Sequence, residues 1–155
     1  MEGIHRKIFS LFTFLLLPFF IIAQQQQKQL AQLGLQGHVR SLAERSYTAL
    51  ENFGNPVKGE RTNDNADYTF LSNGDIAEQN IYNQNGSLRM RHTYKYNTAG
   101  KLAGQKLYMP GGALKSNFRY RYNSNGKLAE QALYNADGSL ISKYVYEYDD
   151  KGQPV

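Results

Sequence analysis

Two patterns of apolar positions divide the chain. Ile8 to Ile22 is a near-continuous apolar run, broken only by Ser10, Thr13 and Pro18. From Tyr68 onward, apolar and polar residues alternate in short bursts separated by glycine-bearing turns. Alternation with a period of two is the mark of half-buried strands. The bursts recur. Tyr68-Thr-Phe70, Tyr94-Lys-Tyr96, Tyr120-Arg-Tyr122 and Tyr146-Glu-Tyr148 stand 26 residues apart. Each unit divides again, since YNSNGKL at Tyr122 to Leu128 is close to YNADGSL at Tyr134 to Leu140. YNQNGSL at Tyr82 to Leu88 and YNTAGKL at Tyr96 to Leu102 match both, and MPGGAL at Met109 to Leu114 is a looser copy. The subunit is one strand and one turn.

The turn residues support this division. Asn-x-x-Gly suits a type I turn followed by a left-handed residue, and glycine takes that positive φ without a Cβ clash. Asparagine caps the start of such a turn through its own side chain. The predicted fold is all-β: an antiparallel meander of tandem hairpins of period 26 in a single curled or spiralling sheet.

The spacing also makes a prediction about faces. A turn pairing Asn123 with Lys127 gives pair numbers that sum to 250, and every such sum along the array is even. Number parity should then equal sheet face. All 13 aromatic residues from Tyr68 to Tyr148 are even-numbered. So are Ile76, Leu88, Met90, Leu102, Leu114, Leu128 and Leu140. The expected core or interface is this even face, led by Tyr94, Tyr96, Tyr120, Tyr122, Tyr146 and Tyr148. The odd face should be wet and basic, with Arg89, Arg91, Lys95, Lys115, Arg119 and Arg121 as candidate binding residues, together with Lys101, Lys127 and Lys143. The same rule puts Gln79, Gln105 and Gln131 on the odd face, beside columns of alanines (Ala77, Ala103, Ala129) and of Ile81, Leu107 and Leu133. It sets His92 opposite Glu78.

The first 23 residues read as a secretory signal: Arg6 and Lys7, an apolar run of about 15 residues, and Ala23 before the expected cleavage point. That run is short of the roughly 20 residues a membrane span needs. Residues 24–34 read as a flexible glutamine-rich leader and 35–67 as an N-terminal capping segment. Within it, Leu35 to Leu50 fits helix or strand. Residues 68–155 hold the repeats. The expected location is exported: periplasmic, cell-surface or secreted, with no membrane contact after cleavage. The chain has no cysteine, which excludes disulfides, thiol catalysis and thiolate metal sites. Stacked repeats are then the expected source of stability. The formal charge is +5; the first 23 residues carry +1, which leaves +4.

Tyr122-Asn-Ser-Asn-Gly-Lys-Leu128 and Tyr148-Asp-Asp-Lys-Gly152 resemble the YD (RHS-type) repeat of bacterial surface and secreted proteins. The resemblance covers Tyr68 to Val155. Large members of that family form spiralling sheets that enclose a toxin domain or bind surface glycans. This chain has about three and a half units, too few to enclose a cargo. The resemblance points to small exported repeat proteins, and in these a strand-like segment usually precedes the repeats.

Catalytic chemistry is not expected. Asn63-Asp-Asn-Ala-Asp67 lacks the glycine and the terminal glutamate of a calcium loop. His38 and His92 are far apart, so no metal or other cofactor is expected. Glu78 and Glu130 are repeat-equivalent positions, with Gly104 between them, rather than a glycosidase pair. Nucleic-acid binding is not expected, because the parity rule puts aromatics and cations on opposite faces, where bases could not stack beside a contacted backbone. The function expected is a noncatalytic module that binds or scaffolds, with a glycan or an envelope protein as partner. The alternatives are a remnant of a YD-repeat toxin shell and a carbohydrate-binding surface protein. The C-terminal edge strand suggests self-association. The aromatic face is larger than a soluble monomer usually exposes. It should be covered, by the Leu35–Arg61 segment or by a partner.

Overall fold

The structure is a computed structural model, and it describes Leu30 and residues 33–155. The apolar run, the cleavage point after Ala23 and most of the glutamine-rich leader lie outside the described residues. Ten strands follow in chain order: β1 (Ser41–Glu44), β2 (Tyr47–Asn52), β3 (Asn55–Arg61), β4 (Asn65–Phe70), β5 (Ile76–Tyr82), β6 (Leu88–Tyr96), β7 (Leu102–Tyr108), β8 (Leu114–Tyr122), β9 (Leu128–Asn135) and β10 (Leu140–Val145). Eight of them form one antiparallel sheet in the order β1-β4-β5-β6-β7-β8-β9-β10, while β2 and β3 pair with each other alone. The fold is an all-β meander, and the sheet does not close into a barrel.

The turns follow the expected chemistry. Gly86 N–H donates to the Asn83 carbonyl and Asn83 N–H to the Ser87 carbonyl, each at 2.9 Å. The same pair of bonds recurs at Asn97, Met109, Asn123, Asn135 and Asp149. The closing glycine is left-handed each time, with φ of 83° at Gly86 and 75° at Gly126. In the turn after β6, Asn97 Oδ1 also accepts from the N–H groups of Ala99 and Lys101, at 3.0 and 2.8 Å.

The parity rule fails one residue beyond each turn. Tyr122 faces Leu128, as an even sum requires, but Arg121 faces Glu130 and Tyr120 faces Gln131. One residue of the strand after the turn is extra: Ala129 there, and Ala77, Ala103, Arg89, Lys115 and Ile141 at the equivalent places. These are β-bulges, in which two residues of one strand oppose a single residue of the other. Each bulge shifts every later pair sum by one and so exchanges faces. The alanine column is the row of bulge residues on β5, β7 and β9. Arg89 and Lys115 are bulge residues on β6 and β8, and the rule that placed them on a common basic face does not apply to them.

The corrected faces are read from the register. One face carries Tyr68 and Phe70, then Tyr94 and Tyr96, then Phe118, Tyr120 and Tyr122, then Tyr144. Between these rows lie Ile76, Gln79 and Ile81, then Leu102, Gln105 and Leu107, then Leu128, Gln131 and Leu133. The glutamine column and the Ile81–Leu107–Leu133 column therefore belong to the aromatic face, not to the basic one. His92 faces Gln79 and Leu107, and Glu78 faces Thr93, so the expected His92–Glu78 pair does not form. Tyr82, Tyr108 and Tyr134, with Leu88, Leu114 and Leu140, fall on the opposite face.

The segment expected to cover the aromatic face does something else. β1 lies in the plane of the sheet and extends it, with Leu42 opposite Tyr68 and Glu44 opposite Ala66. Its backbone groups are satisfied along the edge of β4. β2 and β3 leave the sheet as a separate hairpin. Among the described residues no second layer packs on either face. The core is the sheet's own side-chain packing, tightest at Ala66, Tyr68, Leu128, Ala132 and Gln131.

Candidate binding face

The aromatic face is closed by hydrogen bonds between its own columns. Gln79 Nε2 donates to Tyr68 Oη and Gln79 Oε1 accepts from Tyr94 Oη, both at 3.2 Å. Gln105 Nε2 lies 2.7 Å from His92 Nδ1, and Gln131 is only 5% exposed. Buried amides need such partners, since an unpaired one costs about 1–3 kcal/mol. Rings stack along the strands: Tyr68 on Phe70, His92 on Tyr94 and Phe118 on Tyr120, at 6.3–6.4 Å between centroids. Burial raises the Tyr94 phenol, pushes the Tyr120 phenol up to about 12, and holds the His92 imidazole below its ordinary range. These groups are neutral packing elements. Tyr96, Tyr122 and Tyr148 each donate Oη to a carbonyl 20 residues earlier (Ile76, Leu102 and Leu128) at 2.8–2.9 Å. The expected aromatic residues are thus engaged within the array; Tyr144, at 54% exposure, is an open one.

The opposite face is where cations and rings meet, so the expected separation of aromatics from cations, on which the expectation of no nucleic-acid binding rested, does not hold. Arg91 lies over the Tyr108 ring at 4.6 Å and Arg119 over Tyr134 at 4.5 Å. Lys95 and Arg121 share this face on β6 and β8 and are exposed. Arg89 and Lys115, at the bulges, are also exposed. Two cations are held by carboxylates among the described residues. Arg45 contacts Asp67 at 2.6 Å and Lys143 contacts Glu130 at 2.7 Å. Arg45 also lies 5.4 Å over Tyr82, whose Oη donates to Asp67 Oδ2 at 2.8 Å. The Arg45 guanidinium beside it holds the Asp67 carboxyl below the usual carboxylate range.

Lys101 and Lys127 are not free binding cations. Lys101 Nζ donates to the Gly126 carbonyl of the next turn on its side of the sheet and sits 5.3 Å over the Tyr122 ring. Lys127 repeats this with Gly152 and the Tyr148 ring at 5.0 Å. Lysine directly after the turn glycine, at repeat spacing, was the sequence signal for this clasp. Asp75 stands at the equivalent first position and cannot donate.

An open depression lies on the arginine face between β5, β6 and the β7–β8 turn. Glu78, Asn80, Tyr82, Leu88 and Arg91 form its sides, and Met109, Pro110 and Gly112 its rim. Asn80 Nδ2 donates to Glu78 Oε1 at 2.9 Å. Tyr82, Met109 and Pro110 were not singled out in the sequence as site residues, because the parity rule put Tyr82 on the wrong face. Among the described residues no three His, Asp or Glu side chains come together to hold a metal ion.

Fold and face together define an open, single-layer sheet of hairpin repeats with an aromatic face and an arginine–tyrosine face. No protein-family model matches the chain. No curated protein matches it in sequence. A solved structure titled as a complex of TcdB2, TccC3 and Cdc42 is a weak structural neighbour, with a TM-score of 0.28 and 16% identity. The match covers 76% of this chain and 7% of the neighbour's length.

Proposed function

We propose that this is a noncatalytic exported module that binds or scaffolds at the cell envelope or outside the cell, through its arginine–tyrosine face. The observation that supports the reading is the placement of Arg91 over the Tyr108 ring and of Arg119 over the Tyr134 ring. A guanidinium held over a ring is pre-positioned, and its N–H groups can still reach an anion. Tyrosine and leucine beside it offer apolar surface to a sugar ring. The partner class this suits is a glycan bearing carboxylates. The YD-type sequence resemblance is in keeping with a surface or secreted repeat protein.

The test is retention on immobilised peptidoglycan fragments and on an acidic polysaccharide. Arg119→Ala and Tyr134→Ala should each weaken retention, while a folded Tyr120→Ala protein should keep it. Loss through Tyr120→Ala alone would move the site to the other face. A second copy is a further candidate partner, supported by the exposed Leu140, Ile141, Tyr144 and Val145 along β10. Val145→Lys should then abolish self-association in light scattering; an unchanged mass distribution would remove β10 as the contact.

A further inference from the structure

The tip of the β2–β3 hairpin carries a residue that the fold does not explain. Phe53 has φ of 51° and is 98% exposed. With Gly54 at φ 79°, it forms the centre of a two-residue turn between the facing Asn52 and Asn55. Both central positions need positive φ, and asparagine or glycine takes the first with far less strain than a bulky L-residue. Phe53 thus holds a strained conformation while its ring lies almost entirely in solvent. Strain without packing in return is a mark of function. Behind it, Leu50 faces Val57 and both are exposed, at 56% and 39%. On the other side of the hairpin, Ala49 faces Lys58, whose ammonium sits 3.6 Å over the Tyr47 ring, with Arg61 6.0 Å from the same ring.

We propose that the hairpin tip inserts Phe53 into an anionic lipid surface. This goes beyond the glycan-binding reading and reverses the expectation of no membrane contact. Two arguments select lipid over a protein partner. A stable protein contact takes about 800 Å² from each side, and one ring at the end of a two-stranded hairpin offers a fraction of that. A lipid interface sets no such minimum, and apolar groups bury about 5–10 Å into it. The second argument is charge. Lys58 lies three residue pairs behind the Asn52–Asn55 pair, about 10 Å at the rise of a strand, which is headgroup depth when the ring reaches the acyl boundary. Arg61 lies further back; Glu51 and Glu60 balance these two cations within the hairpin, so the attraction comes from the whole chain, which beyond residue 23 carries a formal +4, the total of +5 less the +1 of the first 23 residues. Leu50 and Val57 share one side of the hairpin behind the ring, and Glu51, opposite Pro56, shares the other with Lys58, so the tip enters end-on, with Lys58 at the headgroups.

The chain has no tryptophan, so Phe53→Trp gives a reporter confined to the tip. On adding phosphatidylglycerol vesicles to the whole chain, the indole emission should shift to the blue and be quenched by brominated acyl chains. Phosphatidylcholine vesicles should give a smaller shift. Tyr144→Trp, an exposed site on β10, should give none. Unshifted emission at position 53, or the same shift at position 144, would overturn the proposal; equal shifts on both lipids would overturn its anionic surface. Phe53→Asn separates function from structure. It should keep or raise the melting temperature, and a fall of several degrees would make Phe53 a structural residue.

Discussion

Replacing single turn glycines by alanine measures the lysine clasp. Gly138 and Gly126 hold the same turn position, with φ of 86° and 75°. An added Cβ at Gly138 meets open space, whereas at Gly126 it meets the Lys101 ammonium. Gly138→Ala should therefore cost only the left-handed strain of an L-residue, about 1 kcal/mol. Gly126→Ala should cost that and the Lys101–Gly126 hydrogen bond. A charge-assisted bond contributes about 1.5–3 kcal/mol when well shielded. Lys101 is only part-buried, so about 1 kcal/mol is the reasonable expectation. The predicted losses are about 1 kcal/mol for Gly138→Ala and about 2 kcal/mol for Gly126→Ala, read by urea unfolding with matched m-values. The cycle closes with Lys101→Met. In that background Gly126→Ala should fall to the cost of Gly138→Ala. Equal costs at the two glycines in the natural background would refute the clasp as a stabilising contact.

Two more outcomes follow from the same contacts. Tyr122→Phe removes the 2.8 Å bond from Oη to the Leu102 carbonyl and should cost about 1 kcal/mol in urea unfolding, with Tyr96→Phe close to it. The Asp67 carboxyl is held low by Arg45 in the folded chain, so its contribution is fully present above the ordinary carboxylate pKa and is lost as pH falls through the folded value. Asp67→Asn should lower stability at neutral pH and flatten the acid limb of a stability–pH curve; an unchanged acid limb would show that the pair carries no linkage.

The strand–turn period was legible because it is written in local chemistry. Each Asn-x-x-Gly or its variant closes a turn by bonds within five residues, and β4 to β10 give the seven strands that the spacing requires. The faces were legible only up to the first pair beyond each turn. A bulge needs no special residue, and Ala77, Ala103 and Ala129 looked like a column of small side chains rather than an extra residue per strand. That single omission put Tyr82, Tyr108 and Tyr134 on the wrong side and hid the arginines that lie over them. It also placed Gln79, Gln105 and Gln131 in water, although Gln131 is among the most buried residues described. The β2–β3 hairpin was illegible for a different reason: Phe53-Gly54 breaks the turn preference that would have marked it.

The bulged register is the claim on which both faces depend, and disulfide trapping tests it on a chain without cysteine. Thr93 faces Lys106 across β6 and β7, and directly opposed residues of an antiparallel pair have a Cα separation of about 4.5–5.5 Å, within disulfide reach. An unbulged sheet with even pair sums would instead set Thr93 opposite Gln105. Thr93→Cys with Lys106→Cys should oxidise rapidly and without loss of stability, while Thr93→Cys with Gln105→Cys should stay reduced. Rapid oxidation of the second pair and not the first would contradict the bulged register.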